Sequence, residues 1–328
     1  GFDGATRIDA TGLIITPGGV DPHCHIEQMS GMGLMNADTF ETATRSAAMG
    51  GTTSVISFSA QAKGQRLCDA MADYAARAAR GAAVDHAFHI LISDPDVPDF
   101  EADLRALIRA GHRSIKLFTT YNIGLSDDAI LRVLRIAGDA GALTCIHAES
   151  DAIIADARAR ALAEGRTRPI DHAASRPRAA EIEAVARMCH LAELARAPVM
   201  IFHVSTREAV AGIAAARARG APIWAETCPH YLFQTEDVLD RPGREGAKWM
   251  CSPPQRTRAD QAALWAGIAA GHIQVVSSDH APYRFDETGK FANGFDAPFS
   301  AIANGMPGLE VRQPLMFDAM VTRGRLGL

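Results

Sequence analysis

The sequence LIITPGGVDPHCHI, residues 13–26, predicts a β-strand that ends in two histidines. After it, along the rest of the chain, short runs rich in β-branched and apolar residues alternate with alanine-rich stretches that are typical of helices. Eight β-rich runs can be counted, at residues 13–26, 52–58, 84–92, 114–118, 143–147, 199–204, 223–226 and 274–278. Strands that alternate with helices in this way predict an α/β fold with a parallel sheet, specifically a (β/α)8 TIM-type barrel.

The stretches between these runs predict helices whose ends are marked by capping residues and glycines. Their expected ranges are residues 37–49, 67–80, 100–110, 127–140, 179–195, 207–219 and 260–269. The main irregular insertion covers residues 235–258. Loops at the carboxyl ends of barrel strands usually carry function, so this insertion is expected to contribute to a site.

Composition narrows the class of protein. The chain has 328 residues, 48% of them hydrophobic, and a net charge of -5. This balance predicts a globular body and gives no basic surface for nucleic acid or anionic membranes. The six cysteines form no C-x-x-C pair and are expected to be reduced, mostly buried thiols, which together with the lack of an apolar run of 18 residues favours a cytoplasmic location.

Histidines and an aspartate recur where the predicted strands end. His23 and His25 lie one residue apart on the first strand, so both imidazoles are expected on the same face. The fifth run ends in His147, the sixth contains His203 as its second-last residue, and Asp279 directly follows the eighth. Imidazole and carboxylate suit zinc and related divalent ions, and barrel active sites lie at these strand ends. The other histidines are expected to be structural, although His230 and His280 could contact the metal ligands without binding a metal themselves.

Lys116 lies in the short apolar strand SIKLF, residues 114–118, and has two interpretations. A lysine buried in the barrel would lose its proton readily, and the neutral amine could react with carbon dioxide to give an anionic carbamate. Alternatively, the side chain could extend to solvent at the barrel rim or pair with Asp279. The strand alone does not decide between them.

The motifs together resemble the cyclic amidohydrolase family, in its dihydropyrimidinase and hydantoinase branch. The matching segments occur in family order along nearly the whole chain: PGGVDPHCH (17–25), GGTT (50–53), SIKLFTTY (114–121), HAE (147–149), HVS (203–205), ETCPHYL (226–232), CSPP (251–254), SDHAP (278–282) and NGMPGLE (304–310).

The resemblance implies two divalent ions, expected to be zinc, and a hydroxide shared between them that attacks the cyclic amide. The implied ligands are His23, His25 and Asp279 for one ion, His147 and His203 for the other, and N6-carboxylated Lys116 as the bridge. It also implies that Asp279 carries the proton, that Tyr121 stabilises the oxyanion, and that Ser252 and Asn304 bind the substrate ring. Taken alone, the last three would be packing or turn residues.

The implied substrate is a dihydropyrimidine or a 5-substituted hydantoin, opened to an N-carbamoyl amino acid. Glu27 stands where dihydroorotases usually carry a carboxylate-binding arginine, and the allantoinase continuation after the second histidine is absent. Another cyclic ureide or imide, a single-metal deaminase and a non-catalytic scaffold remain alternatives. Residues Met29, Met32, Leu34 and Met35 could line a pocket for an apolar ring substituent or simply pack beneath their loop.

The family normally carries a small β-rich domain built from segments on both sides of the barrel. The chain begins at Gly1 and is expected to be a fragment, with residues 1–12 a remnant of that domain or a lead-in and residues 13–328 the catalytic barrel. The resemblance further implies a homo-oligomer, expected to be a tetramer.

Overall fold

Eight parallel strands, each paired with the next along the chain, form the centre of the computed structural model, which describes residues 4–327. A parallel bridge between Cys24 and His280, with the amide of His25 donating to the carbonyl of His280 at 2.7 Å, joins the two ends of the sheet. The predicted barrel is therefore confirmed. Its strands are β1 Gly19–Cys24, β2 Thr52–Ala60, β3 Asp85–Leu91, β4 Ser114–Phe118, β5 Leu143–His147, β6 Val199–Ile201, β7 Ile223–Thr227 and β8 Val275–Val276.

Helices follow the strands and cover the outside of the sheet. They are α1 Phe40–Met49, α2 Leu67–Ala78, α3 Phe100–Arg109, α4 Asp127–Asp139, α5 Asp151–Ala163, α6 Pro169–Ser175, α7 Arg178–Ala195, α8 Arg207–Ala218, α9 Pro229–Phe233, α10 Arg258–Ala269 and α11 Leu309–Phe317. Short 3-10 segments at Glu236–Leu239, Pro242–Trp249 and Phe299–Ala301 and a π turn at Asp318–Thr322 complete the described elements. No helix in this part of the chain combines the length and apolarity that a bilayer crossing requires.

Local sequence explains where helix α1 begins. The side chain of Thr39 accepts from the amide of Thr42, and the Thr42 side chain accepts from the amide of Thr39, which forms a reciprocal cap. Phe40, Ala43 and Ala47 then recur at helical spacing and are fully buried against the sheet. The helix was predicted from residue 37, and the cap at Thr39 corrects this start to Phe40.

Three predicted strands are shorter than the sequence suggested. The first was expected from residue 13, but residues 4–18 contain no helix or strand, and Leu13 and Ile15 are 70% and 80% exposed. The sixth and eighth were expected to reach residues 204 and 278, but they end at Ile201 and Val276. The division of the chain at residues 12 and 13 stays a prediction, and residues 1–3 lie outside the described residues.

Buried side chains fill both sides of the sheet. The main core lies between strands and helices, whereas a smaller cluster inside the barrel consists of Phe58, Leu91, Phe118, Cys145 and Phe202. All six cysteines are free thiols and five are buried, as expected. The interior cluster lies directly beneath the predicted metal ligands and forms their floor.

Candidate metal centre and active site

The six predicted metal ligands come together at the carboxyl ends of the strands and line one cavity of about 450 Å³. This is the face at which a barrel builds its active site. Their positions are His23 in β1 and His25 just after it, Lys116 in β4, His147 at the end of β5, His203 just beyond β6 and Asp279 just beyond β8.

His23, His25 and Asp279 form the first group of potential ligands. Oδ1 of Asp279 lies 3.1 Å from Nε2 of His23 and 3.4 Å from Nε2 of His25. Burial alone would lower the pKa of His23, but the carboxylates of Glu226 and Asp279 outweigh it and raise the pKa to about 9. Two imidazoles and a carboxylate whose ligand atoms lie within 4.8 Å of one another fit a divalent cation such as zinc.

His147 and His203 form the second group. Their ring centroids lie 4.5 Å apart, with the planes inclined at 71°. Nε2 of His147 donates to Oε2 of Glu149 at 2.8 Å, so Nδ1 is the nitrogen left for a metal. Burial lowers the pKa of both histidines, that of His147 to about 4. Both rings are therefore neutral near pH 7 and can offer a lone pair.

Lys116 is fully buried and has no hydrogen-bond partner for Nζ among the described residues. The ammonium lies 4.2 Å from the ring centroid of Phe202, 4.6 Å from that of Phe118 and 5.6 Å from that of Phe58. Burial lowers its pKa to about 8, although Asp279 and Glu226 oppose the shift. The alternative of a lysine that reaches solvent at the rim is wrong, and within residues 4–327 Lys116 has no carboxylate within 4.0 Å.

Tyr121 lies beside the second histidine group. Its ring centroid is 5.3 Å from that of His147, and the guanidinium carbon of Arg176 lies 4.8 Å from the Tyr121 ring. Arg176 is itself paired with Glu149, so one buried network supports both the tyrosine and the histidine. Desolvation raises the pKa of Tyr121 to about 12, which keeps the phenol protonated as a hydrogen-bond donor.

Ser252 and Asn304 face the same cavity from two loops. Oγ of Ser252 and Oδ1 of Asn304 are buried without a hydrogen-bond partner in the described part of the chain. Buried polar atoms in proteins are usually hydrogen-bonded, so unpaired ones at a cavity wall indicate a place for a polar ligand. The structure brings both predicted ring-binding residues and Tyr121 into the cavity that contains the predicted metal ligands.

Three of these residues have a backbone conformation that L-residues rarely adopt. The φ angles of Tyr121, His203 and Asp279 are 69°, 41° and 46°. Such left-handed conformations cost energy for residues with a side chain, and they cluster at functional sites. They also explain why β6 and β8 end before their predicted limits, since the chain turns sharply at the ligand.

The loop after His25 contributes two methionines to the cavity. Met29 and Met32 line it, whereas Leu34 and Met35 are not among the lining residues. The pocket-lining interpretation therefore holds for Met29 and Met32, whereas Leu34 is half-buried and Met35 is 45% exposed. Glu27 also lies apart from the lining, because its Oε1 accepts from the amide of Phe40 at 2.8 Å and caps helix α1.

Several supporting residues were not singled out from the sequence. Glu149 and Glu226 orient His147 and His23, and Arg176 joins Glu149 to Tyr121. The HAE and ETCPHYL motifs contain both glutamates and could have suggested them. Lys290, which is buried beneath the loop that carries Asn304, lies in no motif that the sequence marked.

His280 and His230 are both buried but differ in their contacts. Nε2 of His280 donates to Asp38 at 2.9 Å, and its Nδ1 accepts from the amide of Gly308 at 3.0 Å. His280 therefore links the segment after Asp279 to the loop before helix α1. Nε2 of His230 has no partner within the described residues, and burial lowers its pKa to about 4. Neither lines the cavity.

Comparison with known proteins agrees with this geometry. The amidohydrolase family model matches residues 14–320. The D-hydantoinase of Streptomyces coelicolor is 42% identical over 328 residues, which is 99% of this chain and 69% of that protein. Among solved structures, D-hydantoinase from Bacillus sp. AR9 superposes with a TM-score of 0.94 at 38% identity over 100% of this chain and 72% of that one.

A dihydropyrimidinase structure from Brevibacillus agri has a TM-score of 0.91 at 38% identity, and the alignment covers 95% of this chain and 67% of that one. The family match covers most of the described barrel, including all six ligand positions. The chain therefore belongs to the amidohydrolase family.

Proposed function

We propose that this protein hydrolyses the cyclic amide C–N bond of 5-substituted hydantoins or dihydropyrimidines and releases N-carbamoyl amino acids. The observation that carries the proposal is the buried, unpaired Nζ of Lys116 in the same cavity as the four histidines and Asp279. Relatives named as D-hydantoinase and dihydropyrimidinase support the same substrate class.

Amidohydrolases use divalent ions, and His23, His25 and Asp279 lie close enough together to hold one such ion. In the proposed arrangement, His23, His25 and Asp279 would hold one zinc ion, His147 and His203 would hold the other, and N6-carboxylated Lys116 would serve both. When bound, such a pair lowers the pKa of water and polarises the scissile carbonyl. The aromatic floor favours the carbamate, because desolvation makes the Lys116 amine easier to deprotonate.

The proton transfers are assigned to Asp279. Its neighbours His23 and His25 hold the pKa of this carboxyl well below the ordinary value despite burial, so it enters the reaction as a base. It accepts the proton of the attacking water and returns it to the ring nitrogen as the C–N bond breaks. The phenol of Tyr121 donates to the oxygen that gains negative charge at the carbonyl.

The rest of the cavity is suited to binding the ring and its substituent. Ser252 and Asn304 carry the unpaired polar groups that would meet the ring's polar edge, while Met29 and Met32 would contact an apolar group on carbon 5. Since Glu27 caps helix α1, it is not available to the substrate.

A substrate panel tests the proposal directly. The zinc- and bicarbonate-treated protein should open dihydrouracil and hydantoins with apolar 5-substituents, and the N-carbamoyl products can be identified by mass spectrometry. Allantoin and a cyclic imide test the other ring classes. Dihydroorotate is the informative anionic competitor, because Arg158 lines the cavity and has no ion pair in residues 4–327.

The outcomes separate the alternatives. Turnover of dihydroorotate in preference to hydantoins would indicate an activity of the dihydroorotase type. No turnover of any ring would favour the scaffold alternative. Release of ammonia from an amino-substituted ring by a protein with one bound ion and no lysine carbamate would favour the deaminase.

Three further properties, two implied by the resemblance and the location by composition, stay predictions. Zinc rather than manganese is expected as the native metal, a homotetramer is expected as the assembly, and the cytoplasm is expected as the location. Elemental analysis of the isolated protein, light scattering and cell fractionation address them in turn.

A further inference from the structure

Lys290 lies beneath the loop that carries Asn304. Its side chain is buried, with 3% of the residue exposed, and Nζ donates to the carbonyl of Ala303 at 2.7 Å and to the carbonyl of Gly305 at 2.8 Å. These two residues flank Asn304 on either side, and the whole segment 303–305 lines the cavity. One buried amine thus binds the peptide groups before and after a candidate substrate-binding residue.

Packing alone does not account for a lysine at this position. In the described part of the chain Lys290 has no carboxylate within 4.0 Å, and its nearest recorded aromatic contact is the Tyr283 ring at 5.9 Å. Burying an amine is costly unless its donors are used. Burial lowers the pKa of Lys290 to about 7, but the neutral amine still has two N–H groups, so both carbonyls can be bound in either protonation state.

Two contacts, that of Lys290 with the Ala303 carbonyl and that of the Gly305 amide with the Met250 carbonyl, determine the direction of the Asn304 peptide groups. In a trans peptide the carbonyl and the following N–H point in opposite directions. Binding the Ala303 carbonyl therefore turns the N–H of Asn304 away from Lys290. The N–H of Gly305 donates to the carbonyl of Met250 at 2.9 Å, which likewise fixes the carbonyl of Asn304 on the opposite side.

The N–H and C=O groups of Asn304 that point away from these contacts have no hydrogen-bond partner among the described residues. Neither the backbone nor the side chain of Asn304 makes a hydrogen bond within residues 4–327. The segment is also fixed at Gly305, whose φ is 144° and where an added Cβ would lie 2.1 Å from the carbonyl oxygen of Ala281. The carbonyl of Met306 accepts from the amide of Ala281 at 2.8 Å, so this segment is attached to the chain two residues after Asp279.

We propose that Lys290 is a positioning residue that, together with the backbone bond from Gly305 to Met250, presents the N–H and C=O of Asn304 to the amide or imide edge of the substrate ring. Such an edge offers adjacent C=O and N–H groups, which are complementary to an exposed peptide donor and acceptor. This inference rests on the proposed hydrolysis of cyclic amides. It adds Lys290 as a residue that would act on the substrate only through the backbone of Asn304.

The test compares Lys290→Met, Lys290→Arg and Lys63→Met in the full chain, treated with zinc and bicarbonate. Lys63 is a matched control because it also donates to a backbone carbonyl, that of Ser93 at 2.7 Å, but lies exposed outside the cavity lining. For a 5-substituted hydantoin, Lys290→Met is expected to raise KM by about tenfold or more with a smaller change in kcat, since ground-state and transition-state binding are lost together. Lys290→Arg should recover most of the loss, and Lys63→Met should resemble the parent.

Hydrogen exchange measured by mass spectrometry supplies a readout that needs no turnover. Lys290→Met should accelerate exchange in the peptide covering residues 299–309 while the remaining peptides and the metal content stay unchanged. If the Met variant does not fold, Lys290→Gln serves the same comparison, because it keeps a donor on a shorter neutral chain and should raise KM in the same direction.

Unchanged KM and unchanged local exchange in Lys290→Met would overturn the proposal. So would a joint loss of kcat, bound metal and protection throughout the barrel, which would make Lys290 a general structural support. If the parent protein opens no cyclic amide but Lys290→Met still loosens residues 299–309 alone, the proposed function fails while the effect of Lys290 on the Asn304 loop is upheld.

Discussion

Nδ1 of His23 donates to Oε1 of Glu226 at 2.7 Å, which leaves Nε2 of the same imidazole facing Oδ1 of Asp279 at 3.1 Å. Glu226 is fully buried at the end of β7, on the far side of the ring from the cavity. A carboxylate behind a histidine ligand fixes the tautomer and increases the basicity of the nitrogen that binds the metal. Glu226 therefore lies away from the substrate, but through His23 it is expected to increase the metal affinity of the proposed site.

Replacing Glu226 by glutamine should weaken metal binding. The amide cannot match the charge of the carboxylate behind His23, so the affinity for zinc should fall by roughly ten- to a hundredfold. Competition with a chelator, followed by elemental analysis, measures the change. Glu245→Gln is the control, because Glu245 pairs with Lys248 at the surface; equal zinc affinity in parent and Glu226→Gln would contradict the role.

Lys116→Ala should abolish the pairing of metal ions. Without the amine no carbamate can form, and the two histidine groups lose the only ligand proposed to be common to both. We expect at most one tightly bound ion per chain by elemental analysis, compared with two for the parent. A Lys116→Ala protein that holds two ions would refute the two-metal site in the form proposed.

Tyr121→Phe should impair the reaction but not the metal site. Removal of one oxyanion donor typically costs on the order of a hundredfold or more in kcat. The ring of the phenylalanine can still pack on Arg176, so metal content should equal that of the parent. Steady-state kinetics with a 5-substituted hydantoin check this, and an unchanged kcat would exclude Tyr121 from the step.

Asp260→Asn should destabilise the fold in a pH-dependent way. Asp260 accepts two hydrogen bonds from Arg178, at 2.6 and 2.7 Å, and caps helix α10 through Thr257. Burial opposes ionisation, but Arg178 and Thr257 outweigh it and hold the pKa of this carboxyl well below its ordinary 3.8. Losing charged hydrogen bonds of this kind should lower the free energy of unfolding by about 2 kcal/mol.

The sign of the pH effect follows from the lowered pKa. The contribution of Asp260 is fully present above the ordinary carboxyl pKa and is lost as pH falls through the folded-state value. The difference in Tm between parent and Asp260→Asn should therefore be constant near neutral pH and shrink below about pH 4. Asp156→Asn, at an exposed pair with Arg160, is the control; a difference that grows on acidification would contradict the assignment.

The sequence was sufficient for the features that depend on local pattern. The alternation of strands and helices predicted the barrel, because each βα unit carries its own periodicity and turn residues. The strand ends predicted the cluster of His23, His147 and Asp279, because parallel strands in a barrel place their carboxyl ends on one face. Helix α5 was missed, although Ser150 and Asp151 offered a start signal, since its buried residues are few and mostly small.

What the sequence could not supply are contacts across long separations and local departures from ideal geometry. His23 and Glu226 are 203 residues apart, and the pairing of Arg176 with Glu149 depends on how two loops meet. The early end of β6 follows from the backbone turn at His203, which no propensity indicates. Lys290 went unnoticed for the same reason, because a lysine that binds two carbonyls looks in sequence like any other.

The left-handed backbone of Tyr121, His203 and Asp279 sets a limit on engineering this protein for heat resistance. At such angles glycine relieves steric strain, so a search that scores folding energy alone would favour glycine at all three positions. Each of those changes would delete a proposed ligand or the proposed oxyanion donor. Engineering for stability should therefore keep these three residues unchanged. Stabilising substitutions should be sought on the outer helices, where relieving backbone strain does not remove an active-site group.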